Sequence, residues 1–225
     1  NTYTLGISLT GIPDGSEVLT VIPAENAIYD AAGNAASTTQ SNNTTSLFDQ
    51  SAPNITSVSL TYDNSTVAVT FSVPVYNTAS GEGALDSADF VFSLSGGTAT
   101  LISTTPTSIS ATGNTYTLGI SLTGIPDGSE VLTVIPTENA IYDAAGNAAS
   151  ATQTNNTASL NDKADPRISS VSLAADNKTI AVTFNEAVFN TDGGSGALDS
   201  VDFVFSLSGG TATLSKTYPI SISVS

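Results

Sequence analysis

NTYTLGISLTGIPDGSEVLTVIP, residues 1–23, recurs letter for letter as residues 114–136. Within it Tyr116, Leu118, Ile120 and Leu122 alternate with small polar residues, which is the period-two pattern of a strand with one apolar face. Pro126-Asp127-Gly128 then breaks the run with residues suited to tight turns, and Val131 to Ile135 resumes it. The offset between the two copies is about 113 residues, and aligning the halves at that offset leaves roughly 84 of 112 positions identical. The chain therefore reads as a tandem array of β units.

The same pattern extends outward from the repeated stretch. Val58 and Leu60, then Val67, Val69 and Phe71, then Phe90, Phe92 and Leu94 form further alternating runs. Gly96-Gly97, Thr112-Gly113-Asn114 and Asp63-Asn64 fall between runs as turns. Ala84 to Asp89 predicts a single helical turn before the Phe90 strand, capped by Asp86 and Asp89. Seven or eight strands per unit predict an all-β sandwich of Greek-key type, with the core drawn from two sheets. The Pro-containing sequences around Ala52-Pro53 and Asp165-Pro166 mark boundaries. On that phasing residues 1–48 finish one repeat, 49–161 make a complete one and 162–225 begin another, as in a window on a longer array.

Composition excludes several functions. Cys, Met, Trp and His are absent, and four Lys and Arg oppose 20 acidic residues, for a net charge of −16. The first basic residue is Lys163. Such a chain repels phosphate backbones and anionic lipid, so neither nucleic-acid binding nor attachment to a membrane surface is expected. No run of 18 apolar residues is present to cross a bilayer. Lacking His and Cys, the chain has no imidazole base for a serine nucleophile and lacks the usual zinc ligands. Paired carboxylates could serve glycoside hydrolysis, but every acidic pair falls in a turn or linker, so no enzyme is expected. The first copy has no lysine for an isopeptide staple, and a period of 113 does not suit an ice-binding coil.

SAPNITSVSL, AVTFSVPVYN, DFVFSLSGGTATL and IYDAAGNAAS together resemble the immunoglobulin-like repeats of giant bacterial cell-surface adhesins and filaments, of the kind secreted by Bacteroidetes. The ending Ile28 to Asn34, repeated as Ile141 to Asn147, carries most of the likeness, because such endings occur in calcium-stabilised bacterial repeats. Asp162 to Pro166 is similar to the calcium-binding linkers of cadherins, while the other junction has Ala52 where Asp165 stands. The resemblance implies tandem Ig-like sandwiches on the bacterial cell surface, outside the cell.

Strand direction gives calcium a second basis. The last strand of a unit must run from the Asp143 loop to the outgoing linker, which puts that loop beside the incoming linker and Asp49. The turn Asp14-Gly15-Ser16-Glu17 of the preceding repeat should face the same junction. Asp49, Asp143 and Asn147, together with Glu138, become candidate ligands for a cation that takes six to eight oxygens. Asp30 and Asn34, and Asp162, are the counterparts at neighbouring junctions. The same residues also read as a metal-free turn, with Asp bonding its own backbone and Gly-Asn taking positive φ.

Asp86-Ser87-Ala88 and Asp199-Ser200-Val201 resemble the acceptor motif of Bacteroidetes O-glycosylation, making Ser87 and Ser200 candidate sites on an exposed turn. The sequons at Asn54, Asn64 and Asn177 are expected by chance in a chain so rich in Asn and Thr. Two functional expectations remain. One is a structural spacer in a surface stalk or filament, whose partners are the neighbouring repeats and identical filaments. The other is a binding module that grips surface glycans, which would require Tyr29, Tyr142 and Tyr116 to form an exposed platform.

Overall fold

The structure is a computed structural model and describes residues 1–224. It divides into two compact units, Asn1–Lys163 and the residues from Ala164 onward. In chain order the first unit holds β1 (Val18–Thr20), β2 (Thr44–Ser46), β3 (Ile55–Leu60), β4 (Thr66–Phe71), β5 (Phe90–Ser95), β6 (Thr100–Leu101), β7 (Ile109–Thr112), β8 (Thr115–Gly119), β9 (Leu122–Thr123), β10 (Val131–Pro136) and β11 (Thr157–Ser159). The second holds β12 (Ile168–Leu173) and β13 (Ile180–Phe184).

The all-β sandwich expected from the alternation is present in residues 49–161. Every pairing is antiparallel: one sheet runs β3-β4-β8-β7 and the other β11-β10-β5, with a short β6-β9 ribbon beside them. Nine strands replace the seven or eight expected, because the Tyr116 to Leu122 run is divided between two sheets. Its first part, β8, joins β4, and its last part, β9, pairs with β6.

Alternation decides which side chains enter the core. Val67, Val69 and Phe71 of β4, Tyr116 and Leu118 of β8, and Leu132 and Val134 of β10 are all buried. Each fully buried aliphatic or aromatic side chain contributes about 1.5–3 kcal/mol of transfer free energy. Phe71, Phe90 and Tyr116 form a triangle with ring centroids 6.0 to 6.3 Å apart, Phe71 meeting Tyr116 edge to face. The Tyr116 hydroxyl donates to the Val75 carbonyl at 3.2 Å, so its polar end is satisfied inside the core.

The segments before residue 49 and after residue 161 keep the local register of residues 49–161. The β1-β2 pair sets Val18 opposite Ser46, as β10-β11 sets Val131 opposite Ser159. The β12-β13 pair repeats the bulge of β3-β4 at the corresponding residues. What differs is burial. Tyr3, Leu5 and Ile7 are 84%, 63% and 58% exposed, whereas Tyr116, Leu118 and Ile120 are 8%, 0% and 9% exposed in identical local sequence. Residues 1–17 form no strand, although Thr115–Gly119 in the copy is one.

The helical turn before β5 is a 3-10 turn, Ser87–Asp89. Asp86 accepts the Ala88 N–H at 2.7 Å, and Asp89 accepts the Asp86 N–H at 2.7 Å, a reciprocal capping box. Burial pushes the Asp89 carboxyl above its usual range, opposed by that N–H. Asp199 and Asp202 form the same box around Ser200–Asp202.

Candidate functional site

The loop from Asp143 to Asn147 is organised by the Asp143 side chain. Its Oδ1 accepts the N–H groups of Ala145 at 2.8 Å and Asn147 at 2.9 Å, while Oδ2 accepts the Asn147 side-chain amide at 2.9 Å. The Asp143 N–H in turn donates to the Asn147 carbonyl at 3.1 Å. Gly146, at φ 88°, supplies the left-handed residue. Asn147 is not among the positive-φ residues, contrary to the expected Gly-Asn pair; it contributes through its amide instead. Asp143 is 2% exposed. Donated N–H groups, with no basic side chain, are what make its burial tolerable.

Asp49 lies where strand direction places it. Asn147 Nδ2, already bound to Asp143, also reaches the Asp49 carbonyl at 3.3 Å, so one amide touches both the loop and the incoming linker. The Asp49 carboxylate accepts the Ser51 N–H at 2.7 Å, fixing the linker's own bend. On its other side the linker is fastened to the preceding repeat. Gln50 N–H donates to the Pro13 carbonyl at 2.9 Å. A Cβ on Gly15 would stand 3.2 Å from the Asp49 Cβ, which is why glycine suits this turn. Asp49, Asp143, Asn147 and the Asp14 to Glu17 turn therefore meet at one junction.

Asp30 and Asn34 form the same knot as Asp143 and Asn147, with Asn34 N–H and Nδ2 both 2.8 Å from the Asp30 oxygens. That bonding holds the Asp30 carboxyl below its usual range, led by the Asn34 amide. Asp162 lies against the Gly128 turn, as Asp49 lies against Gly15. Glu138 is exposed.

In this structure the Asp143 side chain caps its own loop. Calcium takes six to eight oxygens. Here three N–H groups point at the Asp143 oxygens, and among the described residues no three acidic side chains gather into a metal-binding group.

Three relationships were not read from the sequence. Glu130 is fully buried, and its carboxylate accepts the N–H groups of Thr98 and Ala99 at 2.9 Å and of Asp127 at 3.1 Å. It thereby joins the Pro126 turn to the Gly96-Gly97 turn, a pairing between distant segments that no local pattern announces. Asn64, in the Asp63-Asn64 hairpin turn with φ 59°, is 2% exposed and clasps Asn161. Lys163 Nζ sits 3.1 Å from the centroid of the Tyr62 ring, a cation–π contact.

Ser87 and Ser200 are half-buried at the first position of their 3-10 turns, flanked by exposed residues. The three tyrosines do not share a platform. Tyr116 is in the core, whereas Tyr29 and Tyr142 turn their hydroxyls onto the Asn26 and Asn139 carbonyls beside their Asp loops. No helix among the described residues is long and apolar enough to cross a membrane. Comparison with protein-family models, curated proteins and solved structures gives no match.

Proposed function

We propose that the chain is a structural spacer, an array of sandwich repeats that holds distance in an extracellular stalk or filament of a bacterial cell surface. The junction carries this reading. The linker around Asp49 is hydrogen-bonded on one side to the Pro13 carbonyl and on the other to Asn147, and a linker tied at both ends suits a spacer. The net charge of −16 suits the role, since like-charged repeats resist collapsing onto one another. Calcium, expected from the sequence, is the variable to remove: the spacer proposed here is held by hydrogen bonds.

Limited proteolysis with elastase tests the fixed junction, trypsin being unsuitable because no basic residue precedes Lys163. The segment 47–52 is expected to resist cleavage with and without EDTA, and Asn147→Ala to be cut there several-fold faster. Rapid cleavage of the unaltered chain would overturn the fixed junction; cleavage appearing only after EDTA would return calcium to the role. A glycan array tests the competing binding module. Saturable binding of one glycan class would replace the spacer reading, but the buried Tyr116 leaves that reading without its platform.

A further inference from the structure

We propose that two copies of this chain pair edge to edge through β7, antiparallel about a twofold axis at Ser110, so that their β3-β4-β8-β7 sheets become one continuous sheet. The pairing does not rest on the spacer reading, and every residue it uses lies in residues 49–161.

β7 is the last strand of its sheet. Gly119 N–H donates to the Ser108 carbonyl at 2.9 Å, which makes Ser110 with Thr117, and Thr112 with Thr115, the hydrogen-bonded pairs further along the ladder. The N–H and C=O groups of Ile109 and Ala111 therefore point away from β8, and Ser110, Ala111 and Thr112 are exposed. Such an edge is a template for another strand, and β7 carries none of the charged residues or prolines that usually guard one. The other long edges are engaged. The Gln153 side-chain oxygen accepts the Ile55 N–H of β3 at 2.9 Å, and the Thr104 carbonyl accepts the Phe92 N–H of β5 at 2.6 Å.

Charge and register both select a second copy as the occupant. Copies of net charge −16 repel one another, least where neither presents a carboxylate. Phe90 to Pro126 hold no charged side chain, and neither do β3 and β4, so the whole four-stranded sheet is neutral in a chain with 20 acidic residues. A basic partner would be drawn to the acidic turns instead. The edge also matches itself. Setting Ile109 opposite Ala111 of the second copy pairs every outward group of the two strands and brings Ser110 opposite Ser110. Ile109 and Ala111 share the face of Leu118 and Tyr116, while Ser110 and Thr112 share that of Thr117 and Thr115. In this register apolar side chains meet apolar ones and hydroxyls meet hydroxyls, and the contact is isologous and closed.

The twofold at Ser110 gives the test. A non-hydrogen-bonded antiparallel pair brings its Cα atoms to about 4.5 Å, within disulfide reach. The chain has no cysteine, so Ser110→Cys introduces a single thiol. Oxidised with diamide, the full chain carrying Ser110→Cys is expected to form a disulfide-linked dimer at least about tenfold faster than one carrying Ser59→Cys, which is exposed on β3 at the opposite edge. Sedimentation of the unaltered chain is expected to show a monomer–dimer equilibrium that added salt shifts toward dimer by screening the repulsion. Ser110→Asp sets two carboxylates opposite each other and is expected to weaken the dimer at least about tenfold while leaving urea denaturation unchanged. A monomer at every concentration would overturn the pairing. So would a dimer that Ser110→Asp leaves equally tight, which places the contact on another surface, or equal oxidation rates for the two cysteine variants.

Discussion

Asn64 and Asn161 clasp each other across the sandwich: Asn64 Nδ2 donates to the Asn161 carbonyl at 2.8 Å, and Asn64 Oδ1 accepts the Asn161 N–H at 2.8 Å. One asparagine side chain thus imitates a strand edge and ties the β3-β4 hairpin to the outgoing end of the repeat. Asparagine suits both demands, tolerating φ 59° and offering a donor and an acceptor side by side.

Asn64→Ala removes the clasp and places a Cβ residue without local compensation in the left-handed region. A loss of about 2–4 kcal/mol is expected from the unpaired groups and the backbone strain. Asn64→Gly relieves the strain alone and should recover part of it. Urea denaturation of the two variants checks the order; equal stability of Asn64→Ala and the unaltered chain would refute the clasp's role.

Glu130 and Gly97 test a second long-range contact. Glu130→Ala strips acceptors from three N–H groups, and a loss of about 3 kcal/mol or more is expected. Gly97→Ala should be comparably damaging, because a Cβ there would overlap the Glu130 carboxylate and φ is 54°. Thermal melts followed by circular dichroism measure both.

Tyr116→Phe removes the hydroxyl that meets the Val75 carbonyl while keeping the ring triangle. About 1 kcal/mol should be lost, against about 3–5 kcal/mol for Tyr116→Ala, which opens a cavity among Phe71 and Phe90. The size of that gap, read by urea denaturation, separates ring packing from hydrogen bonding.

Acid should release the Asp63 turn. Hydrogen bonds led by the Ser65 hydroxyl lower the Asp63 carboxyl from 3.8 to about 2. A lowered carboxyl contributes stability that is fully present above its unfolded value and is lost as pH falls toward the folded one. The stability difference between the unaltered chain and Asp63→Ala should therefore be constant above about pH 4 and shrink between about 4 and about 2. Denaturation series across that window check it, and a difference that grows on acidification would contradict the assignment.

How much was legible depends on the range of each interaction. The Asp143 loop and both capping boxes are short-range, between residues two to four apart, so Asp and Asn at those spacings announced them. The meeting of Asp49 with the Asp143 loop was legible from strand direction. Whether the meeting groups offer oxygens or N–H protons was not, because that depends on which way the Asn147 amide faces. Glu130 stayed hidden in the Asp-Gly-Ser-Glu turn motif, which also occurs at Glu17; there the glutamate accepts the Asp14 N–H on an exposed surface.

The sequence by itself determined the repeat, the turns and the face each strand would bury, since these follow from side-chain size, polarity and spacing within a few residues. Residues 199–202 form the same capped turn as 86–89 even though both carboxylates of the former lie exposed. Only the tertiary structure decided whether a strand exists. Thr115–Gly119 is a strand between β4 and β7, while the identical Thr2 to Gly6 pairs with no strand among the described residues and is not one. A helix closes its hydrogen bonds within itself, but a strand's N–H and C=O groups are satisfied by another segment, so one sequence is β or not according to what lies next to it.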